Sequence, residues 1–147
     1  MTESDGIVVS DEIRRGVEAL IEKCGHAEII AEDDNQPYVF IDLGKMDLQG
    51  YDFDQSEARV ILRVHKDFPR GHHYGIVTIP VLTIGNRDPD STTRNHPQAS
   101  CLRQAGITDE YLYWSRDWEE ISLDDPEDMK RAVAFVRGTL RNPFQNQ

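Results

Sequence analysis

Cys101, followed directly by Leu102, closes a polar stretch running from Gly85 to Ser100. A thiol at the end of such a loop, away from any apolar helix or strand face, is poorly explained by core packing. Loops carried on a scaffold are where reactive groups tend to be displayed, and a thiolate is the strongest simple nucleophile near neutral pH. The chemistry this suggests is capture of an activated acyl carbonyl as a thioester and its transfer to an amine. The alternative is a structural thiol behaving as a small apolar side chain. Arg94, His96 and Arg103 lie close in sequence and carry charge that would favour the thiolate.

Other groups offer less. The neighbours His72 and His73 would diverge from an extended segment and cannot easily share an ion. His96 with Cys101 makes two ligands where zinc takes three or four. No metal is therefore expected, and His26 and His65 read as ordinary half-buried histidines. No Gly-rich phosphate loop is present, so no nucleotide cofactor is expected and any ATP chemistry falls to another protein. Trp114 and Trp118 are four apart, so one helical turn would put them on one face, either packed beside the loop or forming a partner-binding patch.

The elements that must position Cys101 can be read in outline. Ser10 caps a helix with acids in its first turn, an apolar stripe of Ile13, Val17, Leu20, Ile21 and Cys24, and Gly25 as its stop. Strands are expected at Ala27 to Glu32, Tyr38 to Leu43, Ala58 to His65 and Tyr74 to Ile84, with Pro80 marking an edge, a bulge or an early end. A second helix starts at Asp125-Pro126-Glu127-Asp128, with Met129, Val133, Val136 and Leu140 on one face. Helix, four antiparallel strands, long loop and helix make an α+β class, one domain over residues 1–147 with 1–9 as a loose arm.

With 147 residues and a net charge of −11, the chain has length for a core but would be repelled by nucleic acid and by anionic membranes. The acidic run Glu119, Glu120, Asp124, Asp125, Glu127 and Asp128 reads as helix-start electrostatics and a solvated face, or as a dock for a basic partner. Two cysteines, with no apolar span of membrane or signal length, suggest a cytoplasmic protein with reduced thiols.

The order of these features resembles the ubiquitin-conjugating family, as a divergent prokaryotic member. Phe68-Pro69 matches the family's aromatic-proline turn between strands three and four, and His96-Pro97-Gln98 is similar to its His-Pro-Asn motif. Cys101-Leu102 resembles the catalytic pair, Trp114 or Trp118 the downstream tryptophan, and Leu140-Arg141-Asn142-Pro143 the closing Leu-x-x-Pro-Asn-Pro run. The likeness spans Ser10 to Phe144. It departs in two places: His96 precedes Cys101 by only five positions, shorter than the family's spacing, and Gln98 stands where the family has Asn.

The resemblance implies the ubiquitin-conjugating fold and an acyltransferase acting by transthiolation, with Cys101 as the catalytic thiol. Oxyanion or loop support would come from Gln98, Asn95 or Asn86, with His96 as donor or brace. Its implied partners are an adenylating enzyme and a protein with an activated C-terminus, either a ubiquitin-like protein or a cGAS-like nucleotidyltransferase. Its implied setting is a bacterial anti-phage operon of the CBASS type. Two rivals stand beside this: a non-catalytic variant of the same fold serving as a binding scaffold, and a cysteine hydrolase using a nearby histidine as base.

Overall fold

The computed structural model describes residues 7–33, 35–118, 121 and 123–144. Helix α1 spans Asp11–Cys24. The Ser10 hydroxyl accepts from the Ile13 amide, Asp11 and Glu12 sit at the positive end of the dipole, and Gly25 at φ 89° returns its N–H to the Ile21 carbonyl. Ile13 and Leu20 are fully buried. The expected stripe does not run to the helix end, because Ile21 is 44% exposed and Cys24 is also at the surface. Cys24 lies in the last turn, beyond the reach of the sheet, and its thiol donates to the Leu20 carbonyl at 3.0 Å.

Six strands form one antiparallel sheet: β1 Glu28–Glu32, β2 Tyr38–Asp47, β3 Glu57–His65, β4 Tyr74–Ile79, β5 Thr92–Arg94 and β6 Leu112–Asp117. Their order is β1-β2-β3-β4-β6-β5. The first four make the expected meander, and β4 stops at Ile79, one residue before Pro80, whose ring cannot donate to a ladder. The sheet is wider than four strands. The polar loop contributes β5, and the Trp-rich stretch is β6 rather than a helical turn, paired to β4 through Ile76–Trp114 and Val77–Tyr113.

The sheet is buried on both faces. On one, Val39, Ile41, Val60, Leu62, Ile76 and Trp114 pack against Ile13 and Leu20 of α1 and against the C-terminal helix. On the other, Phe40, Ile61, Val77 and Tyr113 meet Ala99, Cys101, Leu102 and Ile107. β3 therefore lacks a solvated face, and its expected half-buried alternation is replaced by burial from Val60 through Val64. The chain closes with a 3₁₀ segment, Pro126–Arg131, leading into α2, Ala132–Arg141. Asp125 caps the segment by accepting from Glu127 N, and Asp128 accepts from the amides of Asp124 and Asp125. This is the helix-start role expected of that acidic run; Glu119 and Glu120 lie outside the described residues. Met129, Val133, Val136 and Leu140 are all buried, as their spacing predicts. No helix among the described residues is long and apolar enough to cross a membrane.

Candidate functional site

The segment bearing Cys101 is anchored before it begins. Asp54, in the β2–β3 connection, accepts from the amides of Gly85 and Asn86 and from the Thr83 hydroxyl. These bonds hold its carboxyl below the ordinary range, the Asn86 amide most strongly. Further on, the Arg94 fork takes both Asp88 oxygens, at 3.0 and 2.6 Å. Arg116 of β6 donates to the carbonyls of Asp90, Asn142 and Pro143, tying loop and C-terminus to the sheet.

Asn95 turns the chain from β5 into the Cys101 segment. Its φ of 53° is left-handed, a region where Asn is among the better-tolerated residues. Its Oδ1 accepts from the Tyr111 amide at 3.1 Å and from Arg103 Nη2 at 2.9 Å. His96 then caps a 3₁₀ segment, Pro97–Arg103, its Nδ1 accepting from the Gln98 amide at 2.9 Å. The Tyr111 hydroxyl donates to the His96 carbonyl at 2.8 Å. At the far end Arg103 Nη1 donates to the carbonyls of Ile107 and Asp109, with its guanidinium 5.0 Å over the Tyr111 ring. Both ends of the segment are thus clamped to one aromatic residue, Tyr111, immediately before β6.

Cys101 lies between the clamps. It is not displayed: it is 9% exposed and packs in the second apolar cluster with Ala99, Leu102, Ile107, Tyr111 and Tyr113. The reason is the second buried face of the sheet, which leaves an apolar floor for the segment to cover. Neither cysteine is in a disulfide. The His96 ring lies tilted against Tyr113, with centroids 4.9 Å apart, and its titration is pushed down, first by burial and then by the Arg63 charge. Its imidazole is therefore neutral over a wider range of pH than a solvated one, and it acts as a brace. Asn95 is a brace as well. Gln98 is exposed, with its backbone amide on His96.

Trp114 is 0% exposed and Trp118 2%, so both are core side chains and neither offers a partner-binding surface. Trp114 Nε1 donates to the Thr78 hydroxyl and Trp118 Nε1 to the Gly75 carbonyl, satisfying both rings inside the molecule. His72 and His73 diverge as expected: His72 pairs at the surface with Asp117 at 2.7 Å, while His73 is buried. His65 is half-buried, but His26 is exposed, 3.9 Å from Asp42. Among the described residues no three His, Cys, Asp or Glu side chains converge as metal ligands.

Tyr111, the hub of the clamp, was not anticipated from the sequence; Arg103 was, but as a charge near the thiol and not as a donor to backbone carbonyls and Asn95. The one available signal was the aromatic pair Tyr111 and Tyr113 two apart, the spacing of one strand face. Comparison with family models, with curated proteins and with solved structures gives no match.

Proposed function

We propose that this chain is an acyl carrier of the ubiquitin-conjugating type, with Cys101 as its nucleophile. The observation that carries the reading is the Cys101 segment itself. The 3₁₀ segment begins at the His96-Pro97 pair, is kinked at Ala99, and is fixed at both ends to Tyr111 by Asn95, His96 and Arg103. A thiol that must meet large protein partners in a set orientation needs such a rigid mounting. The helix, the four-strand meander and the Phe68-Pro69 turn between β3 and β4 occur in the family's order.

In the first step the Cys101 thiolate attacks the carbonyl carbon of a thioester carried by the adenylating partner. The new C–S bond forms, the C–S bond to the partner breaks, and the partner's thiolate leaves with the electron pair. In the second a lysine amine attacks the thioester; C–N forms, C–S breaks, and the thiolate departs while the amine proton passes to solvent. With Asn95 and His96 occupied as braces, the Gln98 side-chain amide is the donor for the oxyanion. An adenylating enzyme supplies the first acyl group. The cargo is a ubiquitin-like protein or, in an anti-phage operon, a cGAS-like nucleotidyltransferase joined through its C-terminus.

A second reading is favoured by one observation, the burial of Cys101 among apolar side chains. On that reading the chain is a binding scaffold and the thiol fills space. Conjugation assayed in cells carrying the neighbouring genes separates the two. The carrier predicts that Cys101→Ala abolishes lysine-linked conjugates while Cys24→Ala leaves them intact. Conjugates retained in Cys101→Ala would leave the scaffold.

A further inference from the structure

The cap of the Cys101 segment is a group that can gain a proton. His96 holds the start of Pro97–Arg103 through Nδ1, which accepts from the Gln98 amide at 2.9 Å. That bond fixes the tautomer, because Nδ1 must be bare and Nε2 must carry the proton. A Ser or Asn cap accepts at any ordinary pH, whereas an imidazole nitrogen accepts only while it is unprotonated. Protonation turns Nδ1 from acceptor into donor and points its hydrogen at the hydrogen of the Gln98 amide.

The surroundings make a proton costly there. The Arg63 guanidinium of β3 lies 5.9 Å from the centroid of the Tyr113 ring of β6, the same ring against which His96 is tilted. That ring therefore already carries a cation. Burial raises the phenols of Tyr111 and Tyr113, so both keep their protons and neither supplies negative charge. Asp88 is taken by the Arg94 fork, and Glu110 by Arg94 and Asn95. Burial and Arg63 both disfavour the imidazolium, and among the described residues no carboxylate opposes them. The other fastenings do not titrate near neutrality: the Tyr111 hydroxyl donates to the His96 carbonyl, and Arg103 to those of Ile107 and Asp109. The response to acid is confined to the His96 end.

We propose that His96 is an acid-released latch on Cys101, whose proton uptake breaks the Gln98 cap, lifts the start of the segment and brings the thiol to solvent. Latched, Ala99 and Leu102 are fully buried and Cys101 is nearly so, over Phe40, Ile61, Val77 and Tyr113. Lifted, the imidazole is solvated and titrates near its ordinary value of about 6.5. The lifted state thus binds the proton more readily than the latched one. The latch holds fully above about pH 6.5 and weakens as pH falls through the lower value of the latched state. Linkage limits the gain in the lifted population to about tenfold per pH unit below 6.5. The inference concerns access to the thiol and does not rest on the acyl-carrier reading.

The test is the rate at which 4,4′-dithiodipyridine labels Cys101 relative to Cys24, read by peptide mass spectrometry from about pH 7.5 to about pH 5.5. The ratio cancels the pH dependence of the reagent and of a solvated thiol. It is expected to rise severalfold, with a ceiling of about tenfold. His96→Asn, which caps without titrating, keeps the ratio level, and His73→Gln leaves the wild-type rise in place. The His96 ring-carbon resonance is expected to titrate below 6.5 and in step with the Gln98 amide, a readout of the wild type that stands even if a variant fails to fold. A level wild-type ratio would overturn the proposal, as would a rise that persists in His96→Asn. A rise abolished by His73→Gln would assign the exposure to global unfolding and overturn it too, as would a His96 ring that titrates at or above 6.5.

Discussion

Cys101 and Cys24 exchange the roles that their neighbours in sequence suggest. A helix stripe argues for a buried Cys24, but the stripe overruns the sheet by one turn and leaves the thiol outside. A polar loop argues for a displayed Cys101, but the loop folds back onto an apolar floor made by residues far away in the chain, among them Phe40, Ile61 and Val77. Local pattern carries no record of a floor supplied by other strands. A thiol reagent is therefore expected to label Cys24 first, with Cys101 slower by on the order of tenfold or more, since it reacts only after local opening. Arg103→Ala removes the donor to Ile107, Asp109 and Asn95 and is expected to speed Cys101 labelling several-fold, leaving Cys24 unchanged. Mass spectrometry of peptides over a labelling time course checks both. Equal rates for the two thiols would contradict the clamp.

Among the elements, those with local signals were legible. Ser10 and Gly25 bound α1 as their types require, Asp125-Pro126 opens the last helical segment, and the strands from β1 to β4 fall where β-branched and aromatic residues cluster. β6 was not legible, for a physical reason. Leu112, Tyr113 and Trp114 are each buried on one or other covered face, so no polar-apolar alternation marks the strand, and two tryptophans four apart mimic helical spacing. β5, at three residues, is defined by its pairing to β6 and not by composition. Two substitutions test the mounting of these elements. Ser10→Ala is expected to lower stability by about 1 kcal/mol through loss of the α1 cap. Gly75→Ala is expected to cost more, roughly 1–3 kcal/mol. It sits at φ 93°, and an added Cβ would come within 2.7 Å of Tyr113 Cζ. Urea unfolding of each variant measures both, and a neutral Gly75→Ala would show that the Tyr113 ring is not packed over β4.

For the molecule as a whole, one sheet separates two cores: helices pack on one face and the Cys101 segment on the other. The α+β class was legible because an unbroken run of strand signals lies between two helix signals; the second core was not, because its lid is polar in sequence. The same architecture sets the response to acid. His73 is 4% exposed, with Nδ1 accepting from the His65 amide and Nε2 against the Pro69 carbonyl, an arrangement that fits only the neutral ring. Burial first, then the charges of His65 and His72, hold its pKa below the ordinary 6.5, with only the Pro69 contact opposing. The unfolded chain therefore binds the proton more readily than the folded one. The stability His73 lends is complete above about pH 6.5 and is lost as pH falls through its lower folded value. Asp54 and Asp88, held below 3.8 by their hydrogen bonds, give way only in stronger acid. The unfolding midpoint is expected to fall between pH 7 and pH 5, and His73→Gln, which can still accept and donate, to flatten that fall. A midpoint level down to pH 5 would contradict the assignment. The account turns most directly on the intact mass of the protein recovered from cells expressing its native gene neighbourhood, as wild type and as Cys101→Ser. The carrier predicts a protein-sized adduct that thiol reductant strips from the wild type and that survives reductant as an ester on Cys101→Ser. No adduct on either form, with the partner proteins present and intact, would contradict it.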